Sequence, residues 1–204
     1  MAYYLFTGLL LGLTAGISPG PLQTLLISET IQHSRKAGIL IALAPLISDL
    51  PIILIAIFII QRLSKIDMAM GFISIAGSLY LLYLAYQSFR YKEVLHISDK
   101  AEIKSLKKGV AANFLNPHPY LFWSTVGAPT IITALGLNIV APVFFIFGFY
   151  VMLIGTLITT ALLIDKTKTF IKKHIYLWII RFLGIILVFL AILFAREAWQ
   201  YFNF

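Results

Sequence analysis

Three groups of residues in this chain have the types and spacing to do chemistry. Asp49 lies in the apolar run IALAPLISDLPIILIAIF and is the only carboxylate near the middle of such a run. The sextet GISPGP, residues 16–21, matches G-x-S-x-G over its first five positions and raises Ser18 as a nucleophile. The segment NFLNPHP places Asn113, Asn116 and His118 around Pro117 and Pro119. An aspartate in hydrocarbon costs about 2.5–3.5 kcal/mol on insertion scales, so Asp49 is expected to face a protein interior. There it suits a group that exchanges a proton or pairs with an ammonium, or it stays protonated and bonds nearby backbone. His118 has the chemistry of a proton relay or of a structural donor. Asn113 and Asn116 are three apart and share a helical face, placed to satisfy freed backbone or to bond a polar ligand.

The elements that must position these groups follow from composition. Apolar residues make up 60% of the 204 and charged residues 12%, with a mean hydropathy of +0.94. A water-soluble domain carries about 25% charged residues, so the solvent of this chain is largely lipid. Six apolar segments, 3–30, 38–61, 68–90, 108–133, 138–163 and 176–199, are each long enough to cross a bilayer. The first lacks the basic start of a secretory signal and is expected to be a permanent span. A single transmembrane domain, 1–204, follows, with halves of about 1–95 and 104–204 and no separate soluble domain.

The net charge of +8 comes from lysines and arginines in the linkers between apolar segments, which argues against nucleic acid as a partner. With six spans, one side holds Arg62, Lys65 and Arg196, and the other holds the remaining 13 of the 16 basic residues. The positive-inside rule puts the thirteen in the cytoplasm and both termini outside. The chain has no cysteine, which excludes disulfides and thiolate metal sites. Neither H-E-x-x-H nor a glycine loop ending in G-K-[ST] occurs, and no cofactor or metal is expected.

Shifting the chain by 98 residues superposes Pro19 on Pro117, Pro21 on Pro119 and Gly38 on Gly136. A half of three spans must repeat in inverted orientation. Proline-broken spans at matching places in two halves point to the substrate site of a secondary transporter. Proline removes an N–H and clashes with the preceding turn, and lipid cannot satisfy the freed groups. The half-helices following Pro21 and Pro119 are expected to aim N–H groups at a shared cavity and to suit an anion such as a carboxylate. Ser18, Pro19, Gly20, Pro21, Gln23, Asn113, Asn116, Pro117 and His118 are the candidate binding residues, with Asp49 for the proton or an ammonium. Gly8, Gly12, Gly16 and Gly20 form a strip for close helix approach. Glu29 is expected to be a surface charge beside Arg35 and Lys36, and Tyr80, Tyr83 and Tyr86 to be core or interface aromatics.

These residues resemble the LysE/RhtB family of bacterial amino-acid exporters along most of the chain. GISPGP is similar to the family's Gly-x-x-Pro-Gly-Pro element, and Asp49 stands where the family has an intramembrane aspartate. GSLYLLYLAYQSFR resembles its Gly-x-x-Tyr-Leu pattern, NFLNPHPYLFWSTVGAP its Asn-x-x-Asn-Pro element with a later proline, and RFLGIILVFLAI its last span. Ser48 replaces a usual glycine and His118 a frequent lysine, both beside the candidate site. The resemblance implies an all-α inner-membrane protein of six spans, in two inverted three-helix repeats with broken first and fourth helices. It implies export of amino acids or similar small zwitterions, driven by the proton gradient, with lipid and a small solute as partners and a homodimer left open. The alternatives are the same fold carrying a metal ion, another cation or another metabolite, a membrane-embedded enzyme using Ser18 or Asp49 with His118, and a structural or assembly protein.

Overall fold

A computed structural model describes residues 1–59, 66–90, 99–168 and 173–202. All elements among them are helical: α1 (Ala2–Ile17), α2 (Pro21–Gln32), α3 (Arg35–Ala42), α4 (Ala44–Ile59), α5 (Ile66–Arg90), α6 (Asp99–Phe114), α7 (Pro117–Phe122), a π-helical turn (Trp123–Gly127), α8 (Ala128–Leu135), α9 (Ala141–Lys168) and α10 (Lys173–Phe202). Arg62, Lys65, Lys92 and Lys172 of the charge count lie outside the described residues. Four helical stretches are long and apolar enough to cross a membrane, Arg35–Ala56, Gly71–Arg90, Ala141–Thr167 and Trp178–Phe202. The pair α1 and α2, bent by 61° at their break, makes a fifth when taken as one span. Large apolar side chains such as Phe147 (62% exposed) and Phe189 (59%) face outward, an arrangement suited to lipid rather than water.

The ends of these helices follow local chemistry. Ser34 accepts a hydrogen bond from the Ala37 N–H at 3.1 Å, so α3 starts at Arg35 and takes in a basic pair expected in a linker. Asn138 Oδ1 accepts from the Val140 and Ala141 N–H groups and opens α9. Residues 99–108, expected within a charged linker, form the first turns of α6, as a stretch rich in Ala, Leu, Lys and Glu favours. The apolar segment 108–133 is no single α-helix. It is interrupted at Leu115 and Asn116, and again by the π turn just before Pro129, whose missing N–H and ring prevent a regular α turn there.

Helix pairing is set by small residues. Cβ atoms added at Gly8, Gly12 and Gly16 would strike Phe145, Phe149 and Thr156 of α9 in that order, so α1 and α9 run parallel in close contact. Gly148 of α9 receives the Leu5 backbone of α1. Gly20 has no neighbour within 4 Å of such a Cβ, so the strip ends one residue short of its expected length. Gly109 fits against Ile41 and Ala44, and Asn113 reaches Ser48 and Asp49, so α3–α4 and α6 are also parallel. Gly71 meets Phe202, Gly77 meets Phe194 and Gly184 meets Phe89, which makes α5 and α10 antiparallel. Tyr80 is half-buried, whereas Tyr83 and Tyr86 are exposed along this pair.

Gly12→Leu is expected to lower the stability of the protein in detergent by about 1–3 kcal/mol or more, because the α9 backbone cannot retreat from the new side chain. Gly20→Ala, which fills open space, should stay within about 0.5 kcal/mol. Thermal unfolding of the two variants measures both.

Candidate functional site

The first break is a short extended link. Ser18 ends α1 in an extended conformation and Gly20, extended as well, precedes Pro21 at the first position of α2. Proline is tolerated there because the first helical N–H groups have no intrahelical acceptor in any case. No side chain caps α2, which leaves the amides of its first turn uncapped. Gln23 Nε2 lies 3.4 Å from the Gly16 carbonyl oxygen, one of the acceptors that the break releases from α1.

The second break is built differently. Asn116 caps α7 by accepting from the His118 N–H at 3.0 Å, and Pro117 takes the first helical position. The half-helix thus starts at Pro117 rather than after Pro119, two residues earlier than the repeat alignment implies. Pro119 falls within the first turn, where its missing N–H costs no intrahelical bond. The expectation of two open half-helix ends is corrected to one. The α7 end is closed by its own asparagine, and the α2 end is open.

A cavity of about 360 Å³ lies at these breaks. Ser18, Pro19, Gly20, Pro21, Leu22 and Gln23 line it from the first break. Asn113, Asn116, His118 and Pro119 line it from the second, and Pro45 and Asp49 from α4. Pro117 is buried and is not among the lining residues. Phe122, Trp123 and Phe149 complete an aromatic wall, with the Phe122 and Phe149 rings stacked at 5.1 Å and Trp123 edge-on to Phe149 at 5.2 Å.

Asp49 is 3% exposed and its carboxylate is anchored at both oxygens. Asn113 Nδ2 donates to Oδ1 at 2.6 Å, and the Tyr150 hydroxyl of α9 donates to Oδ2 at 3.2 Å. Asn113 Nδ2 also lies 2.7 Å from the Ser48 hydroxyl oxygen, and that hydroxyl in turn donates to the Ala44 carbonyl. The network joins α4, α6 and α9 through one carboxylate. Asn113 therefore serves Asp49, while Asn116 serves the backbone, although the two lie on one stretch of sequence.

His118 stands at the cavity edge with its side chain 58% exposed. Its Nε2 is 3.7 Å from Glu197 Oε1 of α10, and its ring meets Phe194 edge-on at 5.7 Å. Ser18 sits between two helices, not in the strand-turn-helix that a hydrolase nucleophile occupies. Glu29, expected at the surface, is only 3% exposed and is bound from α6, because α2 packs its charged end against that helix. Tyr150 and the aromatic wall were not among the residues singled out from sequence. The one signal for Tyr150 was a hydroxyl within an apolar span, more than a hundred residues from its partner.

A family model described as LysE type translocator matches residues 13–198. The chain belongs to this family. Comparison with curated proteins and with solved structures finds no match. As a LysE type translocator with several helices long and apolar enough to cross a membrane, the protein is a multi-pass membrane transporter.

Replacing Asn113 by Leu is expected to cost about 1–3 kcal/mol, because the Asp49 carboxylate loses its closest donor. The double variant Asn113→Leu with Asp49→Leu should recover part of that loss, since removing both partners leaves less polar area unpaired. Equilibrium unfolding in detergent distinguishes this outcome from simple addition of two losses.

Proposed function

We propose that this translocator exports amino acids or similar small zwitterions from the cytoplasm, coupled to the proton gradient. The observation that carries the reading is the pairing within one cavity of an uncapped helix N-terminus with a buried aspartate. The amides at the start of α2 present partial positive charge to a carboxylate, as helix N-termini do for anions. Asp49 on another wall takes the ammonium group or the coupling proton, and Ser18, Gln23 and Asn116 supply polar lining between them. Pro19, Gly20 and Pro21 keep the backbone of the first break open to the solute, Pro117 sets the start of α7, and His118 guards the rim. The cavity falls near the lower end of the range of about 300–1,000 Å³ typical of small-molecule sites.

The proposed membrane arrangement has six spans: α1 with α2, α3 with α4, α5, α6 through α8, α9, and α10. Parallel packing of α1 and α9 supports it, because two spans run the same way only when an odd number of crossings separates them. The α6–α8 segment is the crossing that makes the number odd. An inverted repeat exchanges spans one, two and three with four, five and six. The parallel α1–α9 pair then maps onto the parallel pair of α6 with α3–α4, and the α5–α10 pair maps onto itself. That correspondence favours two halves that rock about the cavity. The basic residues favour an inner-membrane protein with both termini outside.

Vesicles loaded with labelled amino acids test the reading. Export should rise as the pH on the outer side falls between about pH 8 and 6, since inward proton flow drives it. Asp49→Asn is expected to reduce export at least about tenfold and to flatten that pH dependence. Wild-type rates in this variant across the range would remove Asp49 from the mechanism. Accumulation of a metal ion or another metabolite in place of amino acids would change the cargo and leave the fold intact.

A further inference from the structure

The polar cluster at the far end of α2 lies outside the cavity. Lys108 Nζ of α6 is 2.6 Å from Glu29 Oε1, and the Ser105 hydroxyl of α6 donates to Oε2. His33 Nδ1 of the next turn lies 3.3 Å from Oε2. The Tyr80 hydroxyl of α5 donates to the Lys108 carbonyl at 3.3 Å, and Gln32 donates to the Ser28 hydroxyl. Glu29, Ser28 and Ser105 are all buried.

A carboxylate buried against a half-buried ammonium adds little net stability, because desolvation offsets attraction, yet loss of the ammonium is costly. Its best use is to select one of two arrangements. Position decides which arrangement is at stake here. Gln23 and Asn113 line the cavity, whereas Glu29 lies about 9 Å further along α2 and Lys108 about 7.5 Å back along α6. Both steps lead toward the end where Arg35, Lys36 and the basic start of α6 gather. On that flank Thr24 and Ser28 are buried, while Ser18 and Pro19 on the other flank are exposed. The pair therefore joins the broken span of one half to that of the other, between the cavity and the basic end.

We propose that Glu29, Lys108 and Ser105 form the gate between the cavity and the basic, cytoplasmic end, closed in this structure and parted when the site opens inward. The inference rests on the alternating-access reading, but its test measures accessibility and not transport. The chain has no cysteine, so Gln23→Cys, at a residue that lines the cavity, places a single thiol behind the gate. Inside-out membrane vesicles carrying the full-length protein are treated with a membrane-impermeant maleimide.

Labelling of Cys-bearing protein should be slow with the gate intact and at least about tenfold faster with Glu29→Gln or Lys108→Gln. The exchange of both charges, Glu29→Lys with Lys108→Glu, should return the rate toward that of the intact gate. Single variants within about twofold of the intact gate, or an exchange as fast as the singles, overturn the proposal. A second probe, Ser18→Cys read from right-side-out vesicles, should keep its rate in every variant. A rise there as well signals general loosening and overturns the assignment. Charge-dependent labelling in a protein that moves no amino acid leaves the gate standing and removes the cargo.

Discussion

A broken helix in a membrane must satisfy its own backbone, and the rest of this structure is arranged around two such breaks. Lipid offers no hydrogen-bond partners, so each released N–H and C=O needs protein or a water-filled cavity. At the first break Gln23 turns to the Gly16 carbonyl, and at the second Asn116 closes the start of α7. Neighbouring helices then cover both places. The α9 helix can lie along α1 only because Gly8, Gly12 and Gly16 leave no side chain in the way, and that approach brings Phe149 and Tyr150 to the cavity wall and to Asp49. The glycine strip is thus coupled to the chemistry: it sets the distance at which α9 reaches the carboxylate.

The same constraint explains how the buried carboxylates of α2 and α4 are held. Charge within the bilayer is tolerable where partners are fixed, and the two buried carboxylates among the described residues, Asp49 and Glu29, have them. Asp49 is held by Asn113 and Tyr150 beside the cavity, and Glu29 by Lys108 and Ser105 toward the basic end. The two centres share the helices α2 and α6 but differ in chemistry. The first combines a carboxylate with an uncapped helix end and open volume, the combination on which the proposed zwitterionic cargo rests. The second is a buried carboxylate held by an ammonium and a hydroxyl from a neighbouring helix, and the proposed gate rests on that contact.

Much of this was legible in residue types. Pro19, Pro21, Pro117 and Pro119 marked the two breaks because proline cannot continue a membrane helix unaided. Asp49 marked the interior because its burial in lipid is costly. The strip of glycines marked a close helix contact, although its partner helix had no signature. Glu29 differs from expectation because its basic neighbours in sequence, Arg35 and Lys36, are exposed, while the partners that bury it, Ser105 and Lys108, lie 76 and 79 positions away on α6. The start of α7 was displaced by two residues because a proline fits equally well at either place in a first turn. Asn116, as a capping side chain, decided between them.

Composition and order alone determined that the chain is suited to lipid, that its apolar segments are helical, and where two of those segments break. Those properties depend on solvent and on local backbone chemistry, which neighbouring residues already specify. Only the tertiary structure decided that one half-helix end is open and the other capped, that Tyr150 completes the Asp49 network, and that Glu29 is buried against Lys108. The last two depend on which helix face meets which across distant parts of the chain, whereas the α7 cap is a bond between Asn116 and the amide two residues on. Hydropathy and spacing do not encode that pairing, and the close packing of α1 with α9 and of α2 with α6 does.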